Sequence, residues 1–198
     1  MPERSTTEAI YLLRRLKEKA RTYKKDLHMV FIDLGKAYDR VPRDLIWQVL
    51  GKKEVSSKYV DILKDMHGDV VTSVRSVGGQ GVEFSINIGL HQGSALSPYL
   101  FTLLMNELTR NIQGEVPWCM LFVDDIVLIS ETVPEINVKL ELWRYTLESR
   151  GLKISRTKTE YMKCNFSRLK IDSEEVKIEA REIPQCNCFR YLSSTLNK

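Results

Sequence analysis

Three carboxylates stand where a folded chain seldom leaves acids uncompensated. Asp33 closes the apolar run His28-Met29-Val30-Phe31-Ile32, and Asp124-Asp125 separate two further apolar runs, 118–122 and 126–130. Burying a carboxylate among apolar neighbours is costly unless something positive offsets it. Adjacent aspartates also repel, and a third brought alongside worsens the conflict. A divalent cation removes it, and Mg²⁺ favours a few carboxylates together with substrate phosphates. Two such ions can activate a hydroxyl, stabilise a leaving oxygen and support in-line displacement at phosphorus. The bland alternative is a solvated hairpin tip. The flanks argue against it, because a free hairpin favours Asn-Gly or Asp-Gly rather than Asp-Asp between core strands.

The elements that must carry these acids can be read in order. Ser5, Thr6 or Thr7 can cap a helix, with Glu8 completing a capping box, and Ile10, Leu13, Leu16 and Ala20 keep helical spacing to about Tyr23. A strand follows over 28–33. Pro42 opens a helix to Leu50, and another spans 59–67. Residues 69–88 predict a hairpin around Gly78-Gly79-Gln80-Gly81. A helix begins after Ser97-Pro98, strands flank Val123-Asp124-Asp125, and a helix over 134–150 stops at Gly151. Extended segments are expected at 152–154, 159–164, 177–180 and 189–193. The order β, helices, hairpin, helix, β-β, helix, β predicts an α+β fold of the ferredoxin-like split βαβ kind, in one compact unit. That scaffold alone licenses no function.

Composition narrows the class. The chain has 198 residues, 43% hydrophobic and 28% charged, with a formal net charge of +4, a balance that excludes wholesale disorder and fibrous repeats. No apolar run approaches a membrane span, and the first residues have no signal-peptide core, so no membrane partner is expected. The cysteines (119, 164, 186 and 188) lack zinc spacing, and reduced thiols imply an intracellular protein. Residues 1–60 hold 14 basic against 8 acidic side chains. Arg14, Arg15, Lys17, Lys19, Arg21, Lys24 and Lys25 cluster with only Glu18 opposing them. Such a stripe can neutralise phosphates or simply be a solvated helix face.

Several segments resemble the ordered motifs of one family, the reverse transcriptases. Phe31-Ile32-Asp33-Leu34-Gly35-Lys36-Ala37-Tyr38-Asp39 resembles motif A, and Gly89-Leu90-His91-Gln92-Gly93-Ser94-Ala95-Leu96-Ser97-Pro98 resembles motif B. Phe122-Val123-Asp124-Asp125 is similar to motif C. Gly151-Leu152-Lys153-Ile154-Ser155 with Lys158-Thr159-Glu160 is similar to motif D, and Phe189-Arg190-Tyr191-Leu192-Ser193-Ser194 to motif E. The wording is nearest that of LINE-type (non-LTR) retrotransposons, especially Ala37-Tyr38-Asp39-Arg40-Val41-Pro42 and Lys158-Thr159-Glu160-Tyr161-Met162.

The resemblance implies RNA-directed DNA polymerase chemistry, with an RNA template, a DNA primer and dNTPs. Asp33, Asp124 and Asp125, with the Leu34 carbonyl, would hold two ions, Mg²⁺ or Mn²⁺. Tyr38 would exclude a 2′-hydroxyl, Gln92 and Gly93 would meet template and nucleotide, and Lys158 would lie near the triphosphate. Phe189, Tyr191 and Leu192 would grip the primer. Residues 1–198 would form one reverse transcriptase domain: a fingers remnant at 1–27, a palm with an embedded fingers hairpin at 28–166, and a primer-grip region at 167–198. The thumb would be missing and the fingers partial, so a partner chain or a longer element protein could supply them. Departures from the family pattern are Glu3, Gly35, Val123 and Ser193. They keep open the alternative of a catalytically silent relic or a nucleic-acid-binding remnant.

Overall fold

A computed structural model describes residues 5–68, 70–167 and 175–198. Glu3, and residues 168–174 of the expected primer-grip region, lie outside the described residues. The chain forms two compact units, not the one expected: residues 1–35 with 109–198, and residues 36–108 between them. One boundary falls inside motif A and the other at the end of a helix. Neither carries the Gly/Pro/Ser composition that marks a linker, so the division leaves no trace in composition.

The first unit is built on β1 (Leu27–Ile32), a strand with every residue buried. The other strands of its sheet are β6 (Cys119–Phe122), β7 (Asp125–Ser130) and β8 (Glu160–Cys164), in the order β6-β7-β1-β8 with each pair antiparallel. Counting these four strands along the chain, the order across the sheet is 2-3-1-4, the arrangement of a split βαβ fold. One sheet face packs on α1 (Thr6–Thr22) through Leu13, Leu16 and Ala20, which meet Met29, Phe31, Val127, Ile129 and Met162 in one cluster. The segment expected to be a fingers remnant thus packs into the core of this sheet. Ser5 caps α1 by accepting the Glu8 N–H at 3.2 Å. On α5 (Val133–Glu148), Val133, Ile136, Leu140, Trp143 and Leu147 form a buried stripe at helical spacing.

The basic stripe of α1 is largely occupied within the fold. Arg14 donates to Ser194 Oγ at 2.9 Å and Lys17 to the Asn197 carbonyl. Arg21 lies 5.3 Å from the Phe166 ring centre, and Lys25 pairs with Glu131 at 2.8 Å. These contacts favour the structural reading of the stripe over a free phosphate-binding face. The C-terminal strands are shorter than expected and come as hairpins: β9 (Lys177–Ile178) with β10 (Arg181–Glu182), and β11 (Cys188–Tyr191) with β12 (Ser194–Asn197). Ala180, Leu192 and Ser193, expected in strands, lie in turns.

The second unit holds a short 3₁₀ turn (Tyr38–Arg40), α2 (Arg43–Lys52), α3 (Ser57–His67) and α4 (Ser97–Thr109), whose last residue belongs to the first unit. The expected hairpin is present as two short ladders, β2 (Val71–Thr72) with β5 (Phe84–Ser85) and β3 (Arg75–Ser76) with β4 (Gly79–Gln80). Its turn is Val77-Gly78, two residues tighter than the glycine cluster suggests. Arg43 joins the pieces, donating to the carbonyls of Gly89 at 3.0 Å, Ile86 at 3.0 Å and His67 at 2.5 Å.

Trp143, 1% exposed, is a large member of the α5 stripe. Trp143→Ala is expected to destabilise the protein by about 3–5 kcal/mol, the usual cost of such a cavity. Urea unfolding followed by circular dichroism checks this, and a loss below ~1 kcal/mol would show that the stripe is not core.

Candidate active site

β1 and β7 pair with His28 opposite Ser130 and Ile32 opposite Ile126. One more step of this register sets Asp33 opposite Asp125, and directly opposed residues of an antiparallel pair share a sheet face. Asp125 belongs to β7, so the turn is only Val123-Asp124, closed by the Phe122–Asp125 pair. Val123 has φ 56°, the left-handed first position of a tight hairpin turn that favours glycine. A β-branched residue there is strained, and strain of this kind gathers at functional sites. Asp124 is exposed at the tip, while Asp33 and Asp125 are half-buried.

The electrostatics match that geometry. Burial pushes the Asp125 carboxyl up to about 6, helped by the charges of Asp124 and then Asp33. Burial also raises Asp33; the Lys158 charge opposes that shift and Asp124 adds to it. The Asp33 Oδ1 atom is buried without a hydrogen-bond partner among the described residues. Among the described residues, no three His, Cys, Asp or Glu side chains close into a preformed ion cage. The three acids sense one another without being drawn together, as like charges do without a counterion. An orphaned buried oxygen beside two more carboxylates is a donor set that fits a hard divalent cation.

The main chain adds a further oxygen. Leu34 bridges Ile154, and the flanking bonds run from Gly35 N–H to the Lys153 carbonyl (2.9 Å) and from Ser155 N–H to the Asp33 carbonyl (2.8 Å). Leu34 is therefore a non-hydrogen-bonded partner on that side, and its carbonyl is directed to the β7 side of β1, where Asp125 lies. A side chain at Gly35 would meet its nearest neighbour at 3.7 Å, an ordinary contact. That departure from the family pattern is not forced by packing.

The residues expected to grip a primer also lie in the first unit. Phe189 stacks on Phe31 with ring centres 4.0 Å apart, and Tyr191 is 6.2 Å from the same ring. Tyr191 is 1% exposed, with a hydroxyl that finds no partner among the described residues. Burial, with the charges of Asp125 and Cys119, pushes its ionisation above the usual range. Leu192 (φ 48°) and Ser193 (φ 65°) make a two-residue turn with both residues left-handed, which explains why glycine suits position 193. Lys158 is exposed, on a turn beside Asp33.

The remaining expected site residues belong to the second unit. Tyr38 is half-buried and stacks on Phe101 at 4.9 Å. Gln92 donates to Asp39 Oδ1 at 2.8 Å, and Gly93 has φ 86° with open space around its α-carbon. Two residues that sequence reasoning passed over organise this unit. Gly89 (φ 84°) lies so close to the chain that a Cβ would meet the Asp39 carbonyl at 2.9 Å, and Arg43 caps the carbonyls described above. Gly89 is the first residue of motif B, a signal present in the sequence; Arg43 has none.

A carboxyl whose folded pKa exceeds its unfolded value makes the native state bind the extra proton, so stability falls as pH rises between the two. For Asp125 that window runs from about 4 to about 6. In EDTA, the melting temperature of Asp125→Asn minus that of the unaltered chain is expected to grow more positive as pH is raised across that window. A pH-independent difference would show that Asp125 is not held protonated.

Residues 1–196 match the family described as reverse transcriptase (RNA-dependent DNA polymerase). The chain is 28% identical over 142 residues to the Retrovirus-related Pol polyprotein from type-2 retrotransposable element R2DM of Drosophila melanogaster, covering 68% of this chain and 13% of that protein. It is 26% identical over 176 residues to the corresponding type-1 element R2 polyprotein of Nasonia vitripennis, covering 85% of this chain and 17% of that protein. It thus spans a small fraction of these relatives. Among solved structures, the apo telomerase of Candida tropicalis truncated from its C-terminal domain superposes with a TM-score of 0.65 at 18% identity, covering 98% of this chain and 38% of that one. The telomerase of Candida albicans with a TWJ fragment of telomeric RNA gives 0.66 at 14% identity, covering 98% and 33%. At these identities the structures attest the fold, and the family match attests the kinship: the chain belongs to the reverse transcriptase family, with relatives among R2 non-LTR retrotransposon polyproteins.

Proposed function

We propose that the chain carries the catalytic centre of an RNA-directed DNA polymerase, which joins a dNTP to a primer 3′-OH on an RNA template. The observation that carries this reading is the convergence of Asp33 and Asp125 on one end of the sheet, with Asp124 beside them and an unpartnered Asp33 oxygen. Asp33, Asp124, Asp125 and the Leu34 carbonyl would hold two divalent ions, Mg²⁺ or Mn²⁺. When bound, such ions lower the pKa of the attacking hydroxyl and stabilise the departing pyrophosphate.

The chain's own groups do the rest. The half-buried ring of Tyr38 is the barrier against a 2′-hydroxyl. Gln92, tethered to Asp39, and Gly93, with open space above its backbone, receive the template and the incoming nucleotide. Lys158 supplies a proton to the leaving pyrophosphate. The hairpin that carries Phe189, Tyr191 and Leu192 steadies the primer end so that its hydroxyl lies in line. A partner chain, or further parts of a longer protein, would complete the grip on the duplex. The four free cysteines suit an intracellular setting.

Primer extension on poly(rA)/oligo(dT) with Mg²⁺ or Mn²⁺ tests this reading. Weak extension is expected from the unaltered chain, whose grip on the duplex is incomplete, and loss to background from Asp124→Asn. Tyr38→Ala is expected to raise incorporation of ribonucleotides relative to deoxyribonucleotides. Equal duplex binding by both chains without extension from either would favour the silent-relic alternative.

A further inference from the structure

The register of the sheet changes beside Asp33. Phe31 lies opposite Glu160, yet Leu34 lies opposite Ile154. Ile32 and Asp33 therefore face residues 155–159, and the surplus on that side loops out as a turn. A looped-out segment withdraws main-chain acceptors from the ladder, and an N–H left at its edge must find another. The Asp33 carbonyl still accepts Ser155 N–H at 2.8 Å, so the Asp33 N–H also points to this side. There it donates to the Thr159 hydroxyl, at 3.3 Å. Thr159 is fully buried, and its own N–H is fixed on the Ser155 carbonyl at 2.9 Å. A side chain has taken the place of a missing ladder acceptor on the main chain of Asp33.

The turn is pinned from the far side. Arg156 pairs with Glu148 at the end of α5, one bond measuring 2.9 Å, and donates to the Ile154 carbonyl at 2.7 Å. Glu148 in turn accepts the Ile154 N–H at 3.3 Å, and Arg144 and Glu179 extend the network. Lys158 and Thr159 are thus presented by a braced turn, the one toward the Asp33 carboxyl and the other toward its main chain.

We propose that Thr159 is a positioning residue for the divalent-cation site: its hydroxyl fixes the main chain of Asp33 and so the aim of the Asp33 carboxylate. The inference rests on the reading of the three aspartates as cation ligands. Groups that orient a metal ligand from behind leave a measurable mark on affinity, whereas a hydrogen bond that only staples a turn does not.

The test is Mn²⁺ binding to the full chain, read from the free-ion signal by electron paramagnetic resonance, with thermal melts as a check on folding. Thr159→Val removes the hydroxyl at constant shape and is expected to weaken Mn²⁺ binding about 10-fold, while Thr159→Ser stays within about twofold of the unaltered chain. Asp33→Asn is the control. If it binds Mn²⁺ as the unaltered chain does, the cation-site reading itself fails. If Asp33→Asn weakens binding and a folded Thr159→Val does not, the Thr159 assignment alone is overturned. Thr159→Ser as weak as Thr159→Val overturns it too. Should Thr159→Val fail to fold, Thr159→Ala is held to the same criterion; if neither folds, Thr159 is a fold determinant and the proposal falls.

Discussion

Like charge held in a half-buried place is the constraint from which the first unit can be understood. Two strands of the sheet end in carboxylates on one face, with a third at the turn between β6 and β7. The core beneath them (Phe31, Val127, Ile129, Met162) offers no counter-charge. Folding fixes the acids there because the strands that carry them are buried along their length. Relief comes in part from Lys158 and from protonation of Asp125, and a divalent cation would complete it. The fold has a destabilised corner that a cation and a phosphate-bearing substrate would complete.

The devices around that corner belong to hairpin and ladder chemistry. The tip between β6 and β7 forces Val123 into a left-handed conformation, and the tip between β11 and β12 does the same to Leu192 and Ser193. Each turn has two residues, so register leaves no slack, and the flanking side chains are aimed by the pleat. The loop-out opposite Asp33 is the third device. It breaks the β1–β8 ladder where a carboxylate must face outward, and repairs the backbone with a threonine hydroxyl.

Much of this was legible in the sequence. The apolar runs around Asp33 and Asp124-Asp125, a cap among Ser5–Thr7, the helix ending at Gly151 and the split βαβ element order follow from periodicity and turn chemistry, and the ordered motifs carried the family. What escaped reading is tertiary. The role of Arg43 depends on carbonyls up to 46 residues away along the chain, which no local pattern records. The division at Gly35 and Thr109 falls within a motif and at a helix end. The basic stripe read equally well as a phosphate track, and only the placement of Ser194, Asn197, Phe166 and Glu131 shows Arg14, Lys17, Arg21 and Lys25 engaged by partners within the fold. Asp125 was read as part of the turn because two adjacent aspartates look like a tip; pairing with Phe122 draws it into the strand.

The three aspartates destabilise one another, and a divalent cation joining them would remove the conflict. The most direct test is the melting temperature at pH 7.5 with EDTA and with saturating Mn²⁺, for the unaltered chain and for Asp125→Asn. Mn²⁺ is expected to raise the melting temperature of the unaltered chain by several degrees, as mass action requires of a ligand of the native state. In Asp125→Asn most of that rise should vanish, while the melting temperature in EDTA should exceed that of the unaltered chain. An equal rise in both chains, or none in either, would contradict it.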